Sequence, residues 1–186
     1  MQAKKKLDYK RISLNEFLSI VKQILVSYNC DTEGFSQLFR DKEIFLFSSS
    51  FDQIEVFSNK NNDKLNEILT KLRELNLYPY SIGEPIVKIL KGEVYPLLPI
   101  SEYLSQVCKN KIFLNNSKLV EKLTYGKSVL VDFRDVKTTC ELSDNKKYLI
   151  YSEDAIFIAF TRVKIKKKFV EIIPDLDIGW YLREGK

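Results

Sequence analysis

AIFIAFTRVKIKKKFVEII, residues 155 to 173, decides how the second part of this chain is read. Its first six residues are all apolar, as in a buried strand, whereas the nine that follow, TRVKIKKKF, hold five cations and no acid. If one strand runs through both, Arg162, Lys164, Lys166 and Lys168 project from one face at intervals of about 6.6 Å, and Val163, Ile165 and Phe169 point to the core. If Lys166 to Lys168 form a hairpin turn into FVEII, three ammonium groups lie on a loop instead. Either geometry leaves the cations in water. Such a row can track a polyanion, because each neutralised phosphate releases condensed counterions. It can equally protect an edge strand from sheet-to-sheet aggregation, which needs no ligand. Both readings stand on the residues alone.

Working outward, the region from Lys111 alternates short apolar runs with turn residues. KIFL precedes a short helix, SKLVEKL, and then come SVLVDF, VKTTCEL, KYLIYS and the two strands of the opening stretch, with Asp144-Asn145 and Glu153-Asp154 as turns. Five or six strands at this spacing predict a small closed or nearly closed β-barrel. The preceding region is of a different style. SLNE at Ser13 is a capping box, and Phe17, Leu18, Val21, Ile24 and Leu25 recur at helical spacing behind it. DKLNEILTKLREL repeats the pattern with Leu65, Ile68, Leu69, Leu72 and Leu75 on one side, and Glu67 stands four residues before Lys71. GFSQLFR and EIFLFS are expected as strands about Asp41-Lys42, and IVKIL and VYPLL as strands about Lys91-Gly92. Pro96 suits an edge or a strand end, and Pro99 the beginning of a helix PISEYLSQV. The predicted fold class is α+β: a mixed α/β domain with an antiparallel sheet over 1–108, then a β-barrel over 109–186.

Charge follows the same division. Residues 1–108 carry 14 Lys and Arg against 14 Asp and Glu, and residues 109–186 carry 16 against 11, so the whole net charge of +5 lies in the second part. That asymmetry points to an anionic partner, with nucleic acid first and a membrane surface second. Lys4, Lys5 and Lys6 form a separate cluster, expected as a loose, soluble terminus. The chain has no histidine, so the default general base near neutral pH is missing, as are Ser-His-Asp and Cys-His nucleophiles. No glycine-rich phosphate loop is present. Glu153-Asp154 and Asp175/Asp177 read as turn or cap carboxylates. Hence no catalytic residue, metal site or cofactor is expected. Cys30, Cys108 and Cys140 lie far apart and read as small buried hydrophobes of a reducing compartment, not as a disulfide framework. No run is long and apolar enough for a membrane span or signal peptide, so no membrane partner is expected and the location expected is the cytoplasm.

Particular motifs sharpen this. LVEKLTYGKSVL, residues 119–130, resembles the helix, Tyr-Gly, strand signature of PUA domains, small β-barrels that commonly bind RNA. DIGWYLRE, residues 177–184, is similar to the closing Asp-Ile-Gly-x-Tyr-hydrophobic-Arg motif of the Nip-seven family, assembly factors of the large ribosomal subunit in archaea and eukaryotes. SEYLSQVCKNKIFL and YLIYSED resemble that family's junction and mid-barrel segments, and YPYSIGEPI its N-terminal glycine loop. The basic late strand is similar to that of archaeal-type members. The resemblance implies a PUA-like barrel and non-catalytic binding of RNA, specifically single-stranded pre-rRNA. It gives Arg162, Lys164, Lys166, Lys167 and Lys168 phosphate roles, Lys127 and Ser128 secondary contacts, and Gly126 the special backbone of the Tyr-Gly turn. It leaves the N-terminal domain for ribosome-assembly or RNA-processing proteins, and a nucleolar location in a eukaryotic host. A PUA-bearing RNA-modifying enzyme or its accessory subunit, and a protein-only scaffold, are the alternatives. Trp180 is expected to plug the core.

Overall fold

The structure is a computed structural model that describes residues 8–48, 50–58 and 62–184; Lys4, Lys5 and Lys6 lie outside them. The chain forms two compact units, one of the chain up to Ile24 with Glu33–Ile100, the other of Leu25–Thr32 with the chain from Ser101 on.

The first unit is built on a sheet of β1 (Asp8–Arg11), β2 (Glu43–Ser48), β3 (Asp52–Phe57), β4 (Glu84–Leu90) and β5 (Glu93–Pro96), antiparallel throughout and in chain order across the sheet. The capping box opens α1 (Leu14–Ser27): the Ser13 N–H donates to Glu16 at 2.7 Å and the Glu16 N–H to the Ser13 hydroxyl at 3.2 Å. The Ser13 amide holds the Glu16 carboxyl below the usual carboxylate range. GFSQLFR, expected as a strand, lies mostly in the helix α2 (Thr32–Leu38). Phe35 and Phe39 are four residues apart, a helical spacing, and both rings meet Phe17 at 5.9 and 4.9 Å. Burying three aromatics together outweighs the strand-like composition. The partners of EIFLFS are therefore β1 and β3, neither of which the sequence pattern revealed.

In α3 (Asp63–Glu74) Leu69 is buried and Leu65 and Leu72 pack beside it against Tyr9, Phe45 and Phe47, but Ile68 and Leu75 are exposed, so the apolar stripe is narrower than expected. Lys71 and Glu67 form the expected surface pair at 2.6 Å. Lys91 and Gly92 both have positive φ, the signature of a two-residue hairpin turn, and Pro96 ends the edge strand β5. Glu55 lies within β3, yet is 1% exposed. One of its carboxylate oxygens accepts from the Ser81 hydroxyl and the Ile82 and Gly83 amides at 2.8, 2.8 and 3.1 Å, which fixes the YPYSIGEPI loop.

The second unit contains α4 (Ile100–Val107), β6 (Lys111–Leu114), α5 (Ser117–Thr124), β7 (Val129–Asp132), β8 (Lys137–Thr138), β9 (Lys147–Ser152), β10 (Phe157–Lys166), β11 (Phe169–Asp177) and α6 (Trp180–Glu184). Its six strands form one sheet in the order β7-β11-β10-β9-β6-β8, with β6 parallel to β9 and the other pairs antiparallel. The sheet curls into a half-barrel around Ile112, Leu114, Tyr148, Ile150, Val163, Val170 and Ile172, with Leu123 of α5 among them. Register shifts at Phe157/Ala159 and Phe160/Thr161 are the irregularities that bend β10. VKTTCEL, expected as a strand, contributes only two strand residues, because the Thr138 hydroxyl takes up the Cys140 backbone and the Tyr148 hydroxyl accepts from the Ser143 amide.

Cys30 and Cys108 are joined by a disulfide across an isolated antiparallel bridge. This corrects the expectation of separate, merely packed thiols: residues 25–32 double back beside the end of α4, where the Asp31 amide donates to the Val107 carbonyl at 3.0 Å. Cys140 remains free and half-buried, and burial pushes its thiol up.

The chain's closing motif is a latch. Asp177, 2% exposed, accepts both guanidinium branches of Arg183 at 3.0 and 2.7 Å and the Gly179 amide at 2.9 Å. Arg183 also donates to the Thr124 carbonyl at the end of α5. Gly179 is required by closeness, since a Cβ there would lie 2.0 Å from that same carbonyl oxygen. Trp180, expected in the core, is 38% exposed instead and stands edge-on to Tyr181, because the latch uses Asp177 and Arg183 and leaves the ring on the outside of α6. Replacing Arg183 with Met strands a buried carboxylate, and urea denaturation should show a loss of about 3–5 kcal/mol. A loss below about 1 kcal/mol would mean that the pair does not hold the unit together.

Candidate nucleic-acid interface

The hairpin of β10 and β11 places the cations. Lys166 is the last residue of β10 and pairs with Phe169, the first of β11, so Lys167 and Lys168 are the two-residue turn between them. Strand alternation then sorts the side chains. Val163, Val170 and Ile172 face inward and are fully buried. Arg162, Lys164 and Lys166 face outward beside Ile173, Glu171 and Phe169 of β11. The outer face continues on both flanks: Lys147 of β9 lies opposite Arg162, and Leu130 and Asp132 of β7 lie opposite Glu171 and Phe169.

Carboxylates interrupt this row. Arg162 and Lys147 share Asp175 at 3.4 and 3.8 Å, and Lys166 meets Glu171 at 2.9 Å. Lys164, Lys167 and Lys168 have no ion pair among the described residues, and all three are exposed. At the turn, the Phe133 amide bonds the Lys168 carbonyl, and Asp132 is clamped by Arg134. The Arg134 side chain and then its amide hold the Asp132 carboxyl at about 2, so it stays anionic beside the turn. The surface is thus striped: a strip of outward cations with acids between them, with Lys164 uncommitted within it and Lys167 and Lys168 uncommitted at its distal end.

Two residues expected in the core are not there. Phe169 is 44% exposed because a turn at 167 and 168 gives it the same parity as Glu171, and Ile165 is 39% exposed at the rim. Phe133 is also exposed, at 38%. The hairpin that carries the uncommitted lysines thus also presents open aromatic rings, Phe169 next to Lys168 in the chain and Phe133 bonded through its amide to the Lys168 carbonyl. Of the other aromatics in the half-barrel, Tyr148 and Tyr151 are buried and Phe157 is half-buried, whereas Tyr125 is exposed. Phe169 was missed, although its parity follows once the turn is set at two residues. Lys147 was missed because its closeness to Arg162 arises only from the pairing of β9 with β10.

Gly126, Lys127 and Ser128 are placed elsewhere on the sheet. Gly126 has a φ of +71° and follows the C-cap of α5; its amide bonds the Leu123 carbonyl at 2.9 Å and the Lys127 amide bonds that of Lys122 at 3.1 Å, the paired bonds of a Schellman cap. A Cβ on Gly126 would approach Arg183 at 3.1 Å, so the turn also seats the latch. Both amides are consumed inside the fold. Lys127 and Ser128 are exposed, but they lead into β7 at Val129, which pairs with Ile172, whereas Asp132 pairs with Phe169 beside the lysine turn. About 10 Å of strand separates these two levels. The structure unites Arg162, Lys164, Lys166, Lys167 and Lys168 on one hairpin and sets Lys127 and Ser128 at the other end of β7.

Among the described residues no three Cys, Asp or Glu side chains converge as metal ligands, and no helix is long and apolar enough to cross a membrane. Of the acid pairs in the sequence, Glu153-Asp154 lies exposed at the β9–β10 turn, Asp175 serves Arg162 and Lys147, and Asp177 serves the latch.

Residues 110–186 match a family model described as UPF0113 PUA domain. No curated protein sequence matches the chain. Among solved structures, a conserved PUA domain protein from Thermoplasma acidophilum superposes with a TM-score of 0.52 over 90% of this chain and 93% of that one, at 13% sequence identity. At that identity the likeness is one of fold, and it spans both units. The half-barrel, its Tyr-Gly cap and the matched segment agree: residues 110–186 are similar to a PUA domain.

Proposed function

We propose that this protein is a non-catalytic RNA-binding factor that acts in assembly of the large ribosomal subunit and holds single-stranded pre-rRNA on the β10–β11 hairpin. The observation that carries the proposal is that Lys164, Lys167 and Lys168, exposed and without ion pairs among the described residues, share one hairpin with the exposed ring of Phe169. Ammonium groups neutralise phosphates whatever the sequence, and an open aromatic face accepts any unstacked base. Together they suit a single strand better than a duplex, whose bases are already stacked. Arg162, Lys147 and Lys166 keep their own carboxylates and serve as weaker, exchangeable contacts. The assembly role rests on the likeness of the DIGWYLRE and LVEKLTYGKSVL motifs to the Nip-seven family, and assembly proteins are then the partners of the first unit.

Charge and stacking are separable by experiment. In fluorescence anisotropy with labelled oligouridylate, Lys164→Glu/Lys167→Glu/Lys168→Glu should weaken binding and flatten the log-affinity against log-salt slope by about 2, at roughly 0.7 for each single-strand phosphate lost. An unchanged slope would overturn the phosphate role of the hairpin. Phe169→Ala should cost about 1–3 kcal/mol of binding while leaving the salt slope as in the wild type. If duplex RNA binds as tightly as the single strand, or Phe169→Ala binds normally, the ring is no base platform.

A further inference from the structure

Residues 1–108, neutral in sum, hold a local concentration of positive charge that the net count conceals. A groove of about 360 Å³ runs between β1 and α3 and is lined by Tyr9, Lys10, Arg11 and Phe45 on the sheet and Asn66, Leu69, Thr70 and Arg73 on the helix. Three of these residues are cations and none is a carboxylate. We propose that this groove is a phosphate-binding site, distinct from the barrel hairpin and independent of the proposal made for it.

The two guanidinium groups are held over aromatic rings: Arg11 lies 5.4 Å from the Phe45 centroid and Arg73 5.2 Å from that of Tyr9. These stacked seats hold each planar fork against the groove wall, which lowers the entropy lost when an oxyanion is gripped. Arg11 is further fixed through its Nη2, which donates to Asn66 and pairs with buried Glu43 at 2.8 Å. Its Nη1 and Nε donors have no partner among the described residues. Arg73 has no ion pair among them either, whereas Lys10, between Tyr9 and Arg11 on β1, projects from the opposite face of the sheet, where its charge acts on Glu16. The ladder adds a backbone donor. The Ile12 amide bonds the Ile44 carbonyl at 3.0 Å, so alternation along the antiparallel pair turns the Arg11 amide outward, to the open edge of β1. Finally, the Tyr9 hydroxyl is buried without a hydrogen-bond partner among the described residues, an unmet polar group in the lining of the groove.

Two forked cations and a free amide suit a tetrahedral oxyanion, which offers several acceptor directions, better than a planar carboxylate. The same chemistry comes from free phosphate, a nucleotide or the backbone of RNA. These sources are separated by titrating the full chain, ¹⁵N-labelled, with inorganic phosphate, AMP and hexauridylate, and with acetate as a planar control. All three phosphate ligands should shift the amides of Tyr9 to Arg11 and Asn66 to Arg73. Their order of affinity names the source: phosphate as tight as AMP marks a free-anion site, AMP tighter marks a nucleotide site, and the oligomer tightest marks a chain phosphate.

Arg73→Gln should weaken the AMP response about tenfold with an unchanged melting temperature, since the side chain is exposed. Arg11 is left intact because it neutralises buried Glu43. Lys164→Glu/Lys167→Glu/Lys168→Glu, the hairpin variant, should leave this AMP response intact, so failure of one site is readable without the other. The proposal is overturned if phosphate and AMP leave these amides unmoved at about 10 mM, a concentration tenfold above a millimolar Kd. It is also overturned if acetate acts as strongly as phosphate, or if Arg73→Gln responds as the wild type does.

Discussion

The buried ion pair of Asp177 and Arg183 is the contact on which the second unit depends. A carboxylate only 2% exposed is costly unless it is fully bonded, and here it receives two guanidinium branches and one amide. Four separate pieces of chain meet through it: the end of β11, α6, the last carbonyl of α5 and the turn at Gly126. The two motifs that sequence comparison picks out near residues 125 and 180 are thus halves of one device. Neither makes sense alone. Gly126 and Gly179 leave the space that the arginine and the Thr124 carbonyl occupy, and the arginine seals the half-barrel beside the strands that carry the cations.

This explains which residues are free to bind. The conspicuous residues of the motifs are absorbed by the fold: Asp177, Gly179 and Arg183 bond each other or the α5 terminus, and Gly126 and Lys127 spend their amides on the cap. What remains available is chemically plain, a set of lysines on a hairpin that extends past the core. There the outer face has no packing duty, so charge costs little desolvation and rings remain partly open. The acids between the cations have a physical role too. Asp175 and Glu171 offset repulsion among side chains that would otherwise stand about 5 Å apart across the strands.

The fold class, the capping box, α3, the Lys91-Gly92 hairpin and the strands KIFL, SVLVDF, KYLIYS and the β10–β11 pair were legible because each depends on local spacing. The exceptions have specific causes. Phe35 and Phe39 sit at a helical interval inside a stretch whose composition suits a strand, and only Phe17, distant in sequence, reveals which period governs. The disulfide escaped because residues 25–32 return to α4 after a separation of 78 residues, with no motif to announce it. For the interface, the lysines were visible, but the two-residue turn that sends Phe169 outward was not distinguishable from a continuing strand. The charged groove of the first unit was hidden by arithmetic: Arg11 and Arg73 are diluted by acids that lie elsewhere.

The membership of residues 25–32 in the second unit bears on the order of events during synthesis. The five-strand sheet is complete in sequence once Pro96 has been made, whereas the half-barrel draws on Tyr28, fully buried against Phe160, and on Arg183 far downstream. The first unit is able to close while the nascent chain is still growing, but the second must wait until Arg183 has been made. During that interval the apolar faces of β9 and β10 await their partners. The half-made barrel is therefore the stage at which this protein most needs shielding from aggregation, and the lysines of the late hairpin, translated before the latch, discourage sheet edges from pairing between chains until it shuts.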